Sequence, residues 1–271
     1  MLGVIAASSR RQVDPAIALG NTYSVSGEAT TPTCIEWNND GTELLVSDIF
    51  SGFIYQYNLS VAYDISTMSY SSSSFDVTNE DAGPYGIRWD NNGNDLIYLG
   101  GNNDKIYEYD AGTPYDISTL SFNANSSSIA EDFVPTDFAW NDDGTKIHVL
   151  GGFNNTVFEY DLSVAYDITT ITYNSNNHNF NSEDADMQAM TFNDDGTKLF
   201  MAGVQTFYEY DLGVAYDITT VSYSGKSVDV SSEDTSMSGI IFNNDGTKLI
   251  AIGFEFDNVY EYNLTVPYTF P

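Results

Sequence analysis

Phe192-Asn-Asp-Asp-Gly-Thr-Lys-Leu-Phe200 is one of five copies of a phrase in which an aromatic residue is followed by Asn or Asp, further polar residues and Gly. The other copies begin at Trp37, Trp89, Trp140 and Phe242, and their glycines, Gly41, Gly93, Gly144, Gly196 and Gly246, recur with a period near fifty residues. A second phrase, aromatic-x-Tyr, keeps the same beat at Tyr55-Gln-Tyr57, Tyr107-Glu-Tyr109, Phe158-Glu-Tyr160, Tyr208-Glu-Tyr210 and Tyr260-Glu-Tyr262. A fixed period of this length marks a repeat architecture, because each unit is one supersecondary piece that buries its apolar face only against its neighbours.

Each repeat reads as four short strands. In the second they fall near 86–89, 95–99, 105–109 and 126–130, where Ile87 and Trp89 share one face and Tyr107 and Tyr109 another, with no sustained helical period. Asp-Gly or Asn-Gly between the first two strands supplies a hairpin turn, since Gly takes the positive φ such a turn needs. Four-stranded antiparallel sheets repeated radially make a β-propeller, so the expected fold is all-β with five blades. Residues 23–28 match a fourth strand, with Glu28 standing to Glu80 as Glu131 stands to Glu183, while the fifth repeat stops at Pro271 short of its own last strand. The leading strand is therefore expected to complete the fifth blade and close the ring, which removes exposed sheet edges. The domain reading is an N-terminal arm over residues 1–21 and a propeller over 22–271.

The turn phrase is similar to the aromatic-x-x-Asp-Gly-Thr-Lys-Leu-Tyr signature of YVTN-type propellers. The longer unit, with Tyr208-Glu-Tyr-Asp-Leu212, Ala215-Tyr-Asp-Ile-Thr-Thr220 and Val228-Asp-Val-Ser-Ser-Glu-Asp-Thr235, resembles a repeat family found in virion and tail-associated proteins of bacteriophages, especially marine ones, and in some bacterial surface proteins. That resemblance implies a non-enzymatic tail or capsid component of a virion that contacts other virion proteins or a glycan or protein of the host surface. A secreted or surface lectin-like propeller is the alternative, and a five-bladed glycoside hydrolase the next. No catalytic residue carries over from the family, since propellers take their functions from grafted loops.

With 39 acidic against 8 basic residues the formal net charge is -31. Such a surface repels nucleic-acid phosphates and anionic membranes, which argues against either as a partner. It suits a salty medium in which counterions screen the self-repulsion. The single Cys34 permits no internal disulfide, and its place in a first strand reads as a small buried thiol. In residues 1–21 the run Leu2, Val4, Ile5 and the pair Arg10, Arg11 read as an anchoring arm or a tail, too short in apolar length to be a signal peptide or to span a bilayer.

Loops between second and third strands vary from blade to blade and place aromatics beside amides, as a carbohydrate or protein contact requires. The candidates are Phe50, Asn102, Asn103, Phe153, Asn154, Phe254 and Phe256; the alternative use of the Phe side chains is to cap seams between blades. Acidic pairs recur at Glu80-Asp81, Glu131-Asp132, Glu183-Asp184 and Glu233-Asp234, with Glu28 in the first repeat. They could cap turn amides or gather a hard cation such as Ca2+, and no other cofactor is implied. Charged residues break the innermost strands at Glu36, Arg88 and Asp137. Glu36 and Arg88 occupy one position of adjacent blades and are expected to pair, leaving Asp137 alone where glycoside hydrolysis ordinarily takes two carboxyl groups. His148 and His178 sit in unrelated contexts, so a histidine-based site has little to draw on.

Overall fold

The computed structural model describes residues 17–129, 131 and 134–271. Among these, twenty strands form five four-stranded antiparallel sheets arranged as a five-bladed β-propeller. Blade one consists of Pro32–Trp37, Glu43–Asp48, Phe53–Leu59 and Met68–Asp76, running from the central channel outward. Blades two, three and four repeat this plan from inner strands Pro84–Trp89, Pro135–Trp140 and Met187–Phe192. Blade five contributes Met237–Phe242, Lys248–Gly253 and Asn258–Asn263, and its fourth strand is Ala18–Ser24.

The ring thus closes through the leading strand, where Leu19 faces Tyr262, Thr22 faces Tyr260 and Ser24 faces Asn258. Its position differs from the expected 23–28. Each fourth strand ends three or four residues before the glutamate used to align it, as Asp76 precedes Glu80 and Ser128 precedes Glu131, so residues after Ser24 form a turn in which Glu28 N and Ala29 N both donate to Val25 O. For the same reason the second blade's outer strand is Leu120–Ser128 rather than 126–130. These strands alternate buried and exposed only weakly and are rich in Ser and Asn, which hides their start from an apolar-pattern reading. Residues 18–21, read as the end of an arm, pair in the sheet, while Leu2, Val4, Ile5, Arg10 and Arg11 lie outside the described residues.

Inner strands are buried on both faces because the channel closes one side and the neighbouring sheets the other. The core is five apolar clusters, each at a seam between two blades. One seam joins Ile35, Leu44 and Val46 of blade one to Ile250, Ile252 and Val259 of blade five. Another joins Leu150 and Val157 of blade three to Met190, Leu199 and Tyr210 of blade four. Stability is therefore shared among seams, and no blade has a core of its own.

Each Asp-Gly turn is braced from a distant point of its own blade. Gly196 has φ +68, and a methyl there would collide with the ring of Tyr216. Tyr216 is itself in the left-handed region at φ 58, donates its N–H to Gly196 O at 2.9 Å, and meets Phe192 edge-on at 5.1 Å. Asp217 then caps a single helical turn, Ile218–Thr220, by accepting from Thr219 N at 3.0 Å, which returns the chain to the outer strand. Gly196→Ala is expected to lose about 2 kcal/mol or more, from the strained φ together with displacement of the Tyr216 ring, read as a lower urea midpoint at unchanged m-value.

Candidate functional site

The central channel has two mouths and a plug. One mouth is formed by the second residue of each inner strand, Thr33, Tyr85, Thr136, Gln188 and Ser238, with the loops between second and third strands around it. Phe50 and Phe254 stand on its wall, around a cavity of about 300 Å³ that also meets Ile49, Asp186 and Val204. Hydroxyls here bridge neighbouring blades: Ser238 Oγ donates to Pro32 O at 2.8 Å and Thr33 Oγ1 donates to Pro84 O. The matching hydroxyl of blade three, Thr136 Oγ1, is buried without a hydrogen-bond partner. Burial raises the Tyr85 phenol, which stays a neutral donor at physiological pH.

The sequence candidates divide among several places on this face. Phe50 is 82 % exposed, Phe153 71 % and Phe256 53 %, too much for a seam cap, whereas Phe254 is half-buried. Phe153 lines an adjoining hollow of about 260 Å³ that shares Tyr85, Thr136, Asp186 and Gln188 with the mouth. Asn102 and Asn103 are engaged in the loop itself. Asn102 Nδ2 donates to Asp81 Oδ1 at 2.8 Å and Asn103 Nδ2 donates to Glu80 O at 3.2 Å. Asn154 offers its carbonyl to Asn179 Nδ2 at 2.6 Å. Phe256, Asn102, Asn103 and Asn154 line neither hollow. The five mouth residues escape the sequence reading because the inner strands begin earlier than their apolar pattern suggests; the signal is a polar residue straight after Pro32, Pro84, Pro135, Met187 and Met237.

Below the mouth the channel is plugged by Cys34, Glu36, Arg88 and Asp137, all buried. The expected Glu36–Arg88 pair is the looser one, with Arg88 Nε 3.8 Å from Glu36 Oε2. Arg88 bonds Asp137 Oδ1 of the next blade at 2.8 Å, and also donates to Cys34 Sγ at 2.9 Å and to Ile87 O at 2.8 Å. Asp137 is therefore not alone: Phe138 N donates to its Oδ1 at 2.8 Å and Met190 N to its Oδ2 at 2.9 Å. Burial raises the Asp137 carboxyl against the pull of Arg88, lifts the Cys34 thiol to about 11, and lifts Glu36 from 4.5 to about 7.

The recurring acidic pairs hold loops. Glu28, Glu80 and Glu183 accept the phenols of Tyr57, Tyr109 and Tyr210 at 3.1, 2.8 and 3.4 Å, and Glu131 accepts that of Tyr160. Asp81 accepts from Gly83 N and Asn103 N, and Asp234 from Ser236 N and Phe256 N; Asp132 lies outside the described residues. A different group has metal-ligand geometry among the described residues, namely Asp95, Glu108 and Asp110, whose ligand atoms lie within 4.8 Å of one another. In three sister blades the position of Asp95 is a lysine. Lys146 pairs with Glu159 and Asp161, Lys198 with Glu209 and Asp211, and Lys248 with Glu261. Burial and the carboxylates of Asp90, Glu108 and Asp110 push Asp95 up to about 6. His148 meets Phe192 edge-on and His178 meets Phe180 edge-on, and neither faces a second imidazole.

No protein-family model matches the chain, and no curated protein sequence matches it significantly. Solved structures do. A luciferin-regenerating enzyme is 11 % identical over 92 % of this chain and 96 % of its own, with a TM-score of 0.57. A candidate 6-phosphogluconolactonase from Bacteroides uniformis is 11 % identical over 86 % of this chain, with a TM-score of 0.53, and the chain spans 67 % of its length. The chain spans 61 % of the length of a polypeptide in the mitotic checkpoint complex, 14 % identical over 85 % of this chain at a TM-score of 0.48. The likeness to the first two, at 11 % identity, shows the propeller fold and does not separate a binding role from a catalytic one.

Two consequences for stability follow from the charges. Glu36 and Asp95 hold their protons more tightly folded than unfolded, so their contribution is complete below the unfolded carboxyl range and is lost as pH rises through about 7 and about 6 respectively. The melting temperature is expected to fall between pH 5.5 and 8, and Glu36→Gln to flatten that slope and gain on the order of 2 kcal/mol at pH 8. Asp95→Lys should add about 1 kcal/mol at low salt by restoring the pairing of the sister blades, an effect that 1 M NaCl would erase.

Proposed function

We propose that the chain is a non-enzymatic binding propeller that takes a neutral, polyhydroxylated ligand, a glycan, at the mouth walled by Phe50 and Phe254. The observation that carries this reading is the conjunction of exposed aromatic faces with hydroxyl and amide groups around one open cavity: Tyr85, Thr136, Gln188 and Ser238 offer donors and acceptors, and Asp186 is the one charged residue on its wall. Sugars combine apolar C–H faces with dense hydroxyls, so stacking and neutral hydrogen bonds recognise them together. The closest carboxylate of the plug that a hydrolase would need, Asp137, is buried and its oxygens are held by Arg88, Phe138 N and Met190 N, which favours binding over bond cleavage.

The setting we propose is a bacteriophage particle, with the propeller on the tail or capsid and its open mouth toward a host-surface glycan or protein. The repeat resemblance and the net charge of -31 support that setting, and the charge disfavours nucleic acid as the partner. Among the described residues no helix is long and apolar enough to cross a membrane. A glycan array probed with the full chain should return binders whose affinity falls roughly tenfold or more in a Phe50→Ala, Phe254→Ala double variant. Retained binding in that variant would move the site elsewhere. Mass spectrometry of purified particles checks the setting separately, with absence from assembled particles removing it and leaving the glycan result standing.

A further inference from the structure

The opposite end of the channel holds a second vestibule that the glycan reading does not use. There the inner strands end at Trp37, Trp89 and Trp140, and two hollows of about 200 and 320 Å³ share Glu36, Trp89, Asn91 and Ile241 as walls. Charge is left unbalanced at its base. The guanidinium of Arg88 is committed to Asp137 at 2.8 Å, and Glu36 has only the Trp89 N–H on its Oε1 at 3.4 Å. Glu36 Oε2 is buried without a hydrogen-bond donor, with Arg88 Nε 3.8 Å away. One cation thus faces two carboxylates, and a buried carboxylate oxygen without a donor is costly. Asp90, Asp142 and Asp194 add negative charge to the walls, with no Lys and no Arg other than Arg88 among the lining residues.

We propose that this vestibule binds a small primary alkylammonium ion, whose nitrogen donates to Glu36 Oε2 while its alkyl part lies against the indole of Trp89, which borders both hollows. An ammonium supplies the missing charge and the missing donor at once. Its remaining N–H groups can be met by rim carboxylates, and indole faces attract cations. A neutral alcohol brings no charge, and a quaternary ammonium brings no donor. The groups that face Glu36 set a pH signature. Arg88 and Asp137 form a closed pair, the Cys34 thiol stays neutral, and burial holds the Glu36 carboxyl up to about 7, so proton and ligand compete for one oxygen.

The test is calorimetry on the full chain with n-butylammonium, n-butanol and tetramethylammonium at matched ionic strength. Butylammonium is expected to bind saturably, with affinity rising roughly tenfold from pH 6 to pH 8 as Glu36 ionises. Both control compounds should bind more weakly by a similar factor, Glu36→Gln should abolish the pH dependence and most of the affinity, and Phe50→Ala at the other mouth should change neither. Equal binding of butanol or tetramethylammonium overturns the proposal, as does an unchanged affinity in Glu36→Gln. Should Glu36→Gln not fold, the pH profile of the unaltered chain decides alone: a flat profile overturns the site.

Discussion

The rest of the molecule depends on the seating of a tyrosine ring on a glycine. Tyr63, Tyr115, Tyr166, Tyr216 and Tyr268 all adopt the left-handed backbone, with φ between 51 and 64, and each covers the glycine of the Asp-Gly or Asn-Gly turn in its own repeat. A left-handed non-glycine residue costs on the order of 1 kcal/mol, so the arrangement persists because other contacts offset it. Each tyrosine N–H bonds the glycine carbonyl, each ring meets the Trp or Phe that starts the turn phrase edge-on at 4.9–5.4 Å, and four of the hydroxyls reach a turn carbonyl at 3.0–3.4 Å. The contact joins the inner hairpin to the link leading to the outer strand. It thereby fixes where the inner strands end, and those ends are the walls of the lower vestibule.

Repetition settles the scaffold, and the departures from it carry the chemistry. At one level of the inner strands the five blades present Cys34, Gly86, Asp137, Ala189 and Gly239, and two residues further along they present Glu36, Arg88, Ala139, Thr191 and Ile241. Small residues at the first level leave room for one long side chain, and Arg88 takes it, lying over Phe138 and reaching the carboxylate of Asp137 on the next blade. At the head of the second strand, Lys146, Lys198 and Lys248 balance acidic partners, while Asp95 concentrates negative charge in blade two. Neither departure adds much stability to the fold. Paired ions buried in a channel stabilise little once desolvation is subtracted, and three carboxylates together destabilise.

Blade number, strand count and closure were legible because periodicity is a property of the sequence itself. Five glycines and five aromatic-x-Tyr phrases cannot be placed at that spacing without five equivalent units, and the surplus strand at one end matches the deficit at the other. Strand edges were less legible, because Ser- and Asn-rich outer strands such as Leu120–Ser128 carry little apolar signal. Partnership within the channel was legible only in part: the expected Glu36–Arg88 pair is present at 3.8 Å, but the tighter bond to Asp137 was not legible. Sequence alignment places Glu36 and Arg88 at one level of neighbouring blades, but which carboxylate the guanidinium reaches depends on channel width and on the space left by Cys34 and Gly86. Exposure was likewise decided only in three dimensions: Phe256 is exposed and lines neither hollow, whereas Phe254, in the same loop, is half-buried on the wall of the channel mouth beside the exposed Phe50.

The plug makes the two mouths chemically independent. Cys34, Arg88 and Asp137 fill the section between them with a bonded network, so a ligand at Phe50 and Phe254 and one at Glu36 would not share a cavity. The upper mouth meets its partner with hydroxyls, amides and aromatic faces; the lower meets it with carboxylates and indoles. The network also ties blades one, two, three and four together at the axis, since Arg88 bonds Cys34 and Asp137 and Asp137 accepts from Met190 N. Any event that shifts Arg88 must therefore move several inner strands at once, which the closed ring resists. Rigidity at the axis suits preformed recognition at either end, because a site that does not reorganise on binding loses less of its interaction energy to ordering.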